Sequence, residues 1–151
     1  MKNNLTKVGI LGGSGFTGEE LLKILSDHPE TEVIAVSSRE LAGQSTNEIV
    51  EGSNLFFVKP DDNIFYDCET IFFATPHGVS MSMVSIFLSK NIKVIDLSAD
   101  FRFKNTTIWE EWYNSPHTQK DLLSESVYGL TELNLKEIKA ARLVAVPGCY
   151  P

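Results

Sequence analysis

The chain has 151 residues, 42% hydrophobic and 22% charged, with six prolines; that length and balance suit one globular domain with its own core and argue against a disordered polymer. A net charge of −7 and a pI near 4.9 argue against a nucleic-acid partner, which needs clustered Lys and Arg, so any bound anion must be gripped locally. The longest apolar runs, such as Thr70 to Ala74, fall far short of a membrane span, and the opening MKNNLTK lacks the apolar core of a signal peptide, so a cytoplasmic location with no membrane partner is expected. Cys68 and Cys149 are too few for a disulfide framework and have no metal-ligand spacing with the three histidines, so both are expected to be free thiols and no metal site is expected.

Periodicities alternate along the chain. KVGILGG is a β-branched and aliphatic run ending in glycine, and GEELLKILSDHP follows with Leu21, Leu22 and Leu25 at helical spacing and a stop at Pro29, which predicts strand, turn and helix. TEVIAVSS reads as a second buried strand, NLFFV as a weaker one and ETIFFATP as a clear one closed by Thr-Pro. HGVSMSMVSIFLSKN puts Val79, Met83, Ile86 and Phe87 on one helical stripe, and IKVIDLSAD supplies the next strand. Between Ala99 and Val127 no strand is convincing. TIWEEWYN instead places Trp109, Trp112 and Tyr113 on one helical face, with Thr107 and Glu110 spaced as a capping box. Those aromatics either cover the core or pack on another domain or subunit. ARLVAVPG is the last strand. Continuous apolar strands fit a parallel sheet covered on both faces, and no repeat, low-complexity tract or linker interrupts them. The expected fold class is α/β, one Rossmann-like, doubly wound and mostly parallel unit over 1–151.

Gly13-Ser14-Gly15-Phe16-Thr17-Gly18 matches G-x-G-x-x-G between a predicted strand and a predicted helix, the context that a dinucleotide turn requires. Glycines there allow a tight turn, a close approach of backbone to a pyrophosphate and close helix–sheet packing, while the helix N-terminus faces the phosphates. Gly12 opens a second, overlapping register, so which glycines line the phosphates stays open, and a ligand-free turn is the alternative. Gly12, Ser14, Gly15, Phe16, Thr17 and Gly18 are the expected contacts. At the end of the second strand Ser37-Ser38-Arg39 stands where an NAD site usually carries an acid. Ser38 can donate to a 2′-phosphate and Arg39 can pair with it, which favours NADP; the alternative for Arg39 is a solvated loop charge.

Two later loops follow strand ends. In FATPHGVS the small residues, Ala74 and Pro76 among them, would let a cofactor lie close, and His77 is a candidate for proton transfer or a structural turn residue. In DLSADFR, Arg102 is suited to grip a phosphate or carboxylate on a substrate, or else forms a salt bridge with a neighbouring acid. RLVAVPGCYP delivers Cys149 at a strand end, where a thiol can be activated, whereas Cys68 has no such setting. A thiolate beside a nicotinamide suggests acyl chemistry through a thioester.

In this order, GGSGFTGEELL, VSSR, ATPHGVS, VIDLSADFR, YGLTELN and PGCYP resemble the N-acetyl-γ-glutamyl-phosphate reductases, arginine-biosynthesis enzymes of the aspartate-semialdehyde dehydrogenase superfamily, from Val8 to Pro151. The resemblance implies NADPH-dependent reduction of an acyl phosphate, a small-molecule substrate, to a semialdehyde, with Cys149 as the nucleophile and Arg102 near the substrate phosphate. It also implies a homo-oligomeric parent enzyme whose second, mixed α/β domain, carrying a catalytic histidine, begins past Pro151. The chain alone is then expected to bind cofactor without turnover. Val146 stands where the family pattern has Asn, and Thr131 where it has Pro. Two other readings compete. An aspartate-semialdehyde dehydrogenase would carry a G-x-C-N type of turn in place of PGCYP, and a non-catalytic NADP-binding module would need no thiol at all.

Overall fold

The structure, a computed structural model, describes residues 5–150. Met1 to Asn4, which open the segment read for a signal peptide, and Pro151, the last residue of the PGCYP motif, lie outside the described residues. The chain divides into two units, Met1–Ala74 and Thr75–Pro151.

The first unit runs β1 (Thr6–Leu11), α1 (Phe16–Asp27), β2 (Thr31–Ser37), β3 (Phe57–Val58), a 3-10 turn (Asn63–Asp67) and β4 (Thr70–Phe73). β1 pairs in parallel with both β2 and β4, and β2 with β3, so their carboxyl ends lie on one edge. Alternation along β1 sorts its side chains. Val8 and Ile10 join Leu22 and Leu25 of α1 with Val36 and Phe57 in one buried cluster. On the opposite face a Cβ at Gly9 would come within 2.8–2.9 Å of the Ile71, Cys68 and Phe65 side chains, which close that side. The leucine spacing in α1 thus does what the sequence predicts: Leu22 and Leu25 are buried, and Leu21 is partly so.

The second unit runs α2 (Ser80–Ser89), β5 (Lys93–Asp96), α3 (Thr106–Tyr113), α4 (Lys120–Glu125), β6 (Val127–Tyr128), α5 (Thr131–Ala140) and β7 (Leu143–Ala145). β7 pairs in parallel with β5 and with β6, and Asp96 lies opposite Ala145. In α2 the buried stripe is Ser80, Met81, Val84, Phe87 and Leu88; of the predicted Val79, Met83, Ile86 and Phe87, Phe87 is buried, Val79 and Met83 are half-buried and Ile86 is exposed. The reason is polar. Ser80 is drawn inward by two buried acids, a register that apolar spacing cannot reveal.

The aromatic helix α3 also departs from expectation. Its N-cap is Asn105, whose side chain accepts from the Thr107 N–H at 2.9 Å, while Glu110 accepts the His117 N–H instead of closing a box with Thr107. Trp109 is fully buried, donates from Nε1 to the Ala99 carbonyl at 3.1 Å and stacks on Tyr113 with centroids 4.9 Å apart. Trp112 is 76% exposed. A helix of eight residues has a narrow buried stripe, which takes the i, i+4 pair and leaves Trp112 outside.

Truncation should separate the two tryptophans. Trp109→Ala is expected to lower stability by about 3–5 kcal/mol and Trp112→Ala by less than about 1 kcal/mol, read as midpoint shifts in urea denaturation.

Candidate functional site

The turn after β1 is tied to the end of β2: the Gly12 N–H donates to Ser37 Oγ at 3.2 Å and the Gly13 N–H to the Ser37 carbonyl at 2.8 Å. Gly12 has φ of 84°, a left-handed turn residue. A Cβ at Gly13 would lie 2.1 Å from Val36 Cγ2, and one at Gly18 would lie 2.2 Å from the Gly12 carbonyl oxygen. These three glycines answer demands made inside the chain. Gly15 does not. It is the N-cap of α1 with φ −91° and ψ 161°, a conformation open to any residue, and a Cβ there would meet nothing nearer than 3.8 Å. No side chain caps the helix from this position, so the first amides of α1 face open space that a Cβ would otherwise enter. That cradle fits a pyrophosphate lying against the backbone, held by the helix end and flanked by the exposed Phe16 and Thr17. The two overlapping registers thus split the work, in that Gly12 turns, Gly13 and Gly18 allow close packing, and Gly15 leaves the opening.

Ser14 and Ser38 meet beside this turn. The Ser14 hydroxyl donates to Ser38 Oγ at 2.8 Å and the Leu41 N–H donates to the same oxygen at 3.0 Å, so Ser38 retains its own proton to donate. Arg39 is exposed and forms no ion pair among the described residues. One held donor and one free cation suit a phosphate on a ribose. At the end of β4 the Ala74 N–H donates to the Leu11 carbonyl at 2.8 Å, which places this small residue beside the glycine turn.

In the second unit Gly78, with φ of 85°, makes a turn whose N–H donates to both carboxylate oxygens of Asp100, at 2.7 and 2.9 Å. Asp100 also accepts the Met81 N–H at 3.1 Å, and so caps α2 from a distant point in the sequence. Its own backbone is held as well. His117 is buried, its Nδ1 accepts the Gln119 N–H at 3.2 Å, and Nε2–H therefore donates to the Asp100 carbonyl at 2.7 Å. Pro76 and His77 are both exposed on the turn, and the His77 ring rests 4.9 Å from that of Tyr113. Thr75 Oγ1 is buried with no hydrogen-bond partner.

Sequence reading missed the acid pair behind this turn. Ser80 Oγ lies 2.8 Å from Asp96 Oδ2 and 2.8 Å from Asp100 Oδ2, and Ser98 Oγ lies 2.9 Å from Asp96 Oδ2. One serine hydroxyl has one proton, so the second short contact at Ser80 requires a proton from an acid. Burial pushes the Asp96 carboxyl up from its ordinary 3.8 to about 6, with the Asp100 charge adding to the effect and the hydrogen bonds from Ser80 and Ser98 opposing it. The signal was present in the sequence as an aspartate inside the apolar run VID.

Arg102 pairs with no carboxylate among the described residues. Its Nε donates to the Val146 carbonyl and its Nη2 to the Leu97 carbonyl, both at 2.8 Å, and Nη1 lies 3.5 Å from the place a Gly148 Cβ would occupy. The salt-bridge alternative for Arg102 is therefore not what this structure contains, and three of its N–H groups remain beside the Cys149 turn. Cys149 is exposed, and Cys68 is buried with its thiol pushed up to about 12, chiefly by desolvation. No metal-binding group of His, Cys, Asp or Glu occurs among the described residues, and none of their helices is long and apolar enough to cross a membrane.

The sequence profile of the family described as semialdehyde dehydrogenase, NAD binding domain, matches residues 7–141. The chain belongs to the semialdehyde dehydrogenase NAD-binding domain family. It is 49% identical over 151 residues to the N-acetyl-gamma-glutamyl-phosphate reductase of Ruthia magnifica, covering 97% of this chain and 44% of that protein. It is 46% identical over 152 residues to the enzyme of the same name from Nitrosococcus oceani, with the same coverage of 97% and 44%. The chain thus spans less than half the length of these relatives. Among solved structures, aspartate semialdehyde dehydrogenase II of Vibrio cholerae superposes with a TM-score of 0.71 at 16% identity, over 96% of this chain and 42% of that one, which shows a shared Rossmann-like fold. The matched residues include the glycine turn after β1 and stop short of the Cys149 turn.

Asp96 gives this part of the chain a pH signature. A carboxyl whose folded pKa is raised binds more protons folded than unfolded between 3.8 and about 6, so its contribution to stability is full below 3.8 and is lost as pH rises through about 6. The stability of the natural chain relative to Asp96→Asn should therefore fall between about pH 4 and pH 6 and level off above, measured by urea denaturation at each pH. A difference that stays flat across this window would mean that Asp96 is ionised throughout.

Proposed function

We propose that this chain is the cofactor-binding part of an NADPH-dependent N-acetyl-γ-glutamyl-phosphate reductase acting through a thioester on Cys149. The observation that carries the substrate assignment is 49% identity over 97% of the chain to a reductase of that name. In this reading Gly12, Gly15 and Gly18 with Ser14, Phe16 and Thr17 form the pyrophosphate cradle, and Ala74 and Pro76 flank the cofactor. Ser38 and Arg39 select the 2′-phosphate, supported by the free Ser38 proton and the unpaired guanidinium. Bound NADPH would supply the hydride that converts the thioester to the semialdehyde.

The chain's own residues do the rest of what is assigned to them here. The Cys149 thiolate attacks the acyl carbonyl, a C–S bond forms, and the bond from the acyl carbon to the bridging phosphate oxygen breaks as inorganic phosphate leaves with the electron pair. Arg102, through its uncommitted Nη1 edge, holds the phosphate oxygens during that departure. Proton transfer to the tetrahedral oxygen needs a further group. His117 is committed to the Asp100 carbonyl, His28 Nδ1 to the Glu30 N–H, and His77 stands exposed with its ring against Tyr113, so we assign that role to the part of the reductase length this chain does not span. Two free thiols suit a cytoplasmic setting, and a homo-oligomeric parent remains part of this proposal.

Calorimetric titration tests the cofactor assignment. NADPH should bind more tightly than NADH, Arg39→Ala should erase the preference, and equal affinities in the natural chain would sink the choice of NADP. Gly15→Ala should denature within about 1 kcal/mol of the natural chain, because its Cβ meets nothing, yet lose roughly tenfold or more in NADPH affinity. The chemistry is tested on the two steps separately. This chain should bind NADPH without reducing the acyl phosphate, and a protein extended to the length of the relatives should reduce it. Cys149→Ala in that longer protein should abolish reduction and leave NADPH binding intact.

A further inference from the structure

We infer that Arg102 is a positioning residue for the Cys149 turn, a staple across the ends of two paired strands that fixes where the thiol is presented. The last strand ends at Ala145, paired with Asp96 of β5. Beyond it the Val146 N–H donates to the Asp96 carbonyl at 2.8 Å, and the Val146 carbonyl accepts Arg102 Nε at 2.8 Å. That peptide is thus held on both sides. Pro147 has no N–H, and among the described residues no other hydrogen bond fastens Pro147 to Tyr150. The Arg102 contact is the last tether before the cysteine.

Its other arm reaches the carbonyl of Leu97, the first residue after β5, so one guanidinium grips the chain where it leaves β5 and where it leaves β7. A planar fork can serve two carbonyls at fixed angles, whereas an ammonium is a point donor that cannot reproduce both. The family departure at Val146 is neutral to this device, because only its backbone is used. Arg102 itself is fixed through its neighbours: the Ala99 carbonyl accepts Trp109 Nε1–H, and Asp100 is held by its carboxylate and its carbonyl.

The functional meaning of this staple rests on Cys149 being the nucleophile, but its test does not. In the chain as it stands, amide exchange at Val146 by NMR and the rate of Cys149 alkylation by iodoacetamide would be followed in Arg102→Lys and Arg102→Met. Buried Cys68 serves as an internal gauge of global opening. Both variants should speed Val146 exchange by about tenfold or more. Both should also bring the rate of Cys149 alkylation toward that of a short Gly-Cys-Tyr peptide, with Cys68 still protected. In Arg102→Ala, added methylguanidinium should restore both readouts and methylammonium should not. The inference is overturned if Arg102→Lys behaves as the natural chain, if neither variant moves Val146 and Cys149, or if Cys68 opens in step with Val146. Should the readouts move as expected while Cys149→Ala in the longer protein still reduces substrate, the nucleophile reading falls and the staple stands.

Discussion

A fully buried carboxylate must find donors for its oxygens, and in the second unit the search by Asp100 organises nearly everything else. Its oxygens take the Gly78 and Met81 amides and the Ser80 hydroxyl, which starts α2, sets that helix's rotation and pins the turn bearing His77. Its carbonyl takes His117, which in turn packs edge-on against Phe101 and Trp109. The segment 96–102 is accordingly rigid at its centre, and Arg102 inherits a fixed base from which to reach the Cys149 turn. Charge that would be expensive to bury alone is made tolerable by the backbone amides and the serine hydroxyl that donate to it.

The first unit solves a different problem. A chain with a net charge of −7 repels anions as a whole, so an anionic ligand can be held only where partial charges are concentrated. The uncapped end of α1 offers such a place with amides alone, and Gly15 keeps the approach clear. Arg39, next in the chain after the Ser38 that Ser14 bonds, adds one exposed positive charge, so a directional set of amides stands beside a long-range pull.

Elements built on apolar periodicity were legible from the sequence: β1, α1, β2, β4, β5 and β7 all lie where continuous or periodic runs predict them. What escaped reading was polar or short. The turn of α2 about its axis follows from Ser80 bonding to acids, and the cap of α3 from an asparagine one residue ahead of the helix, neither of which an apolar pattern encodes. β6 has two residues and α5 buries none, so neither carries a hydrophobic signature. At the site, the glycines and Arg102 could be named in advance, but their separate roles could not. Those depend on where a Cβ would collide and on which carbonyls lie within reach, quantities set by tertiary contacts.

The emptiness of α5 has a consequence for how the chain comes apart. A ten-residue helix is too short to persist in water on its own, and this one contributes no buried side chain, with Leu133 and Leu135 outward and non-helical dihedrals at Asn134. Its attachment is local, through the Asn134 side-chain amide to the Tyr128 carbonyl and the Thr131 end of the helix to the residues before it. Limited proteolysis would therefore enter here first. The strand that follows, β7, stays paired with β5 after such a cut, so the nicked molecule would keep its two pieces together and would separate on a denaturing gel only.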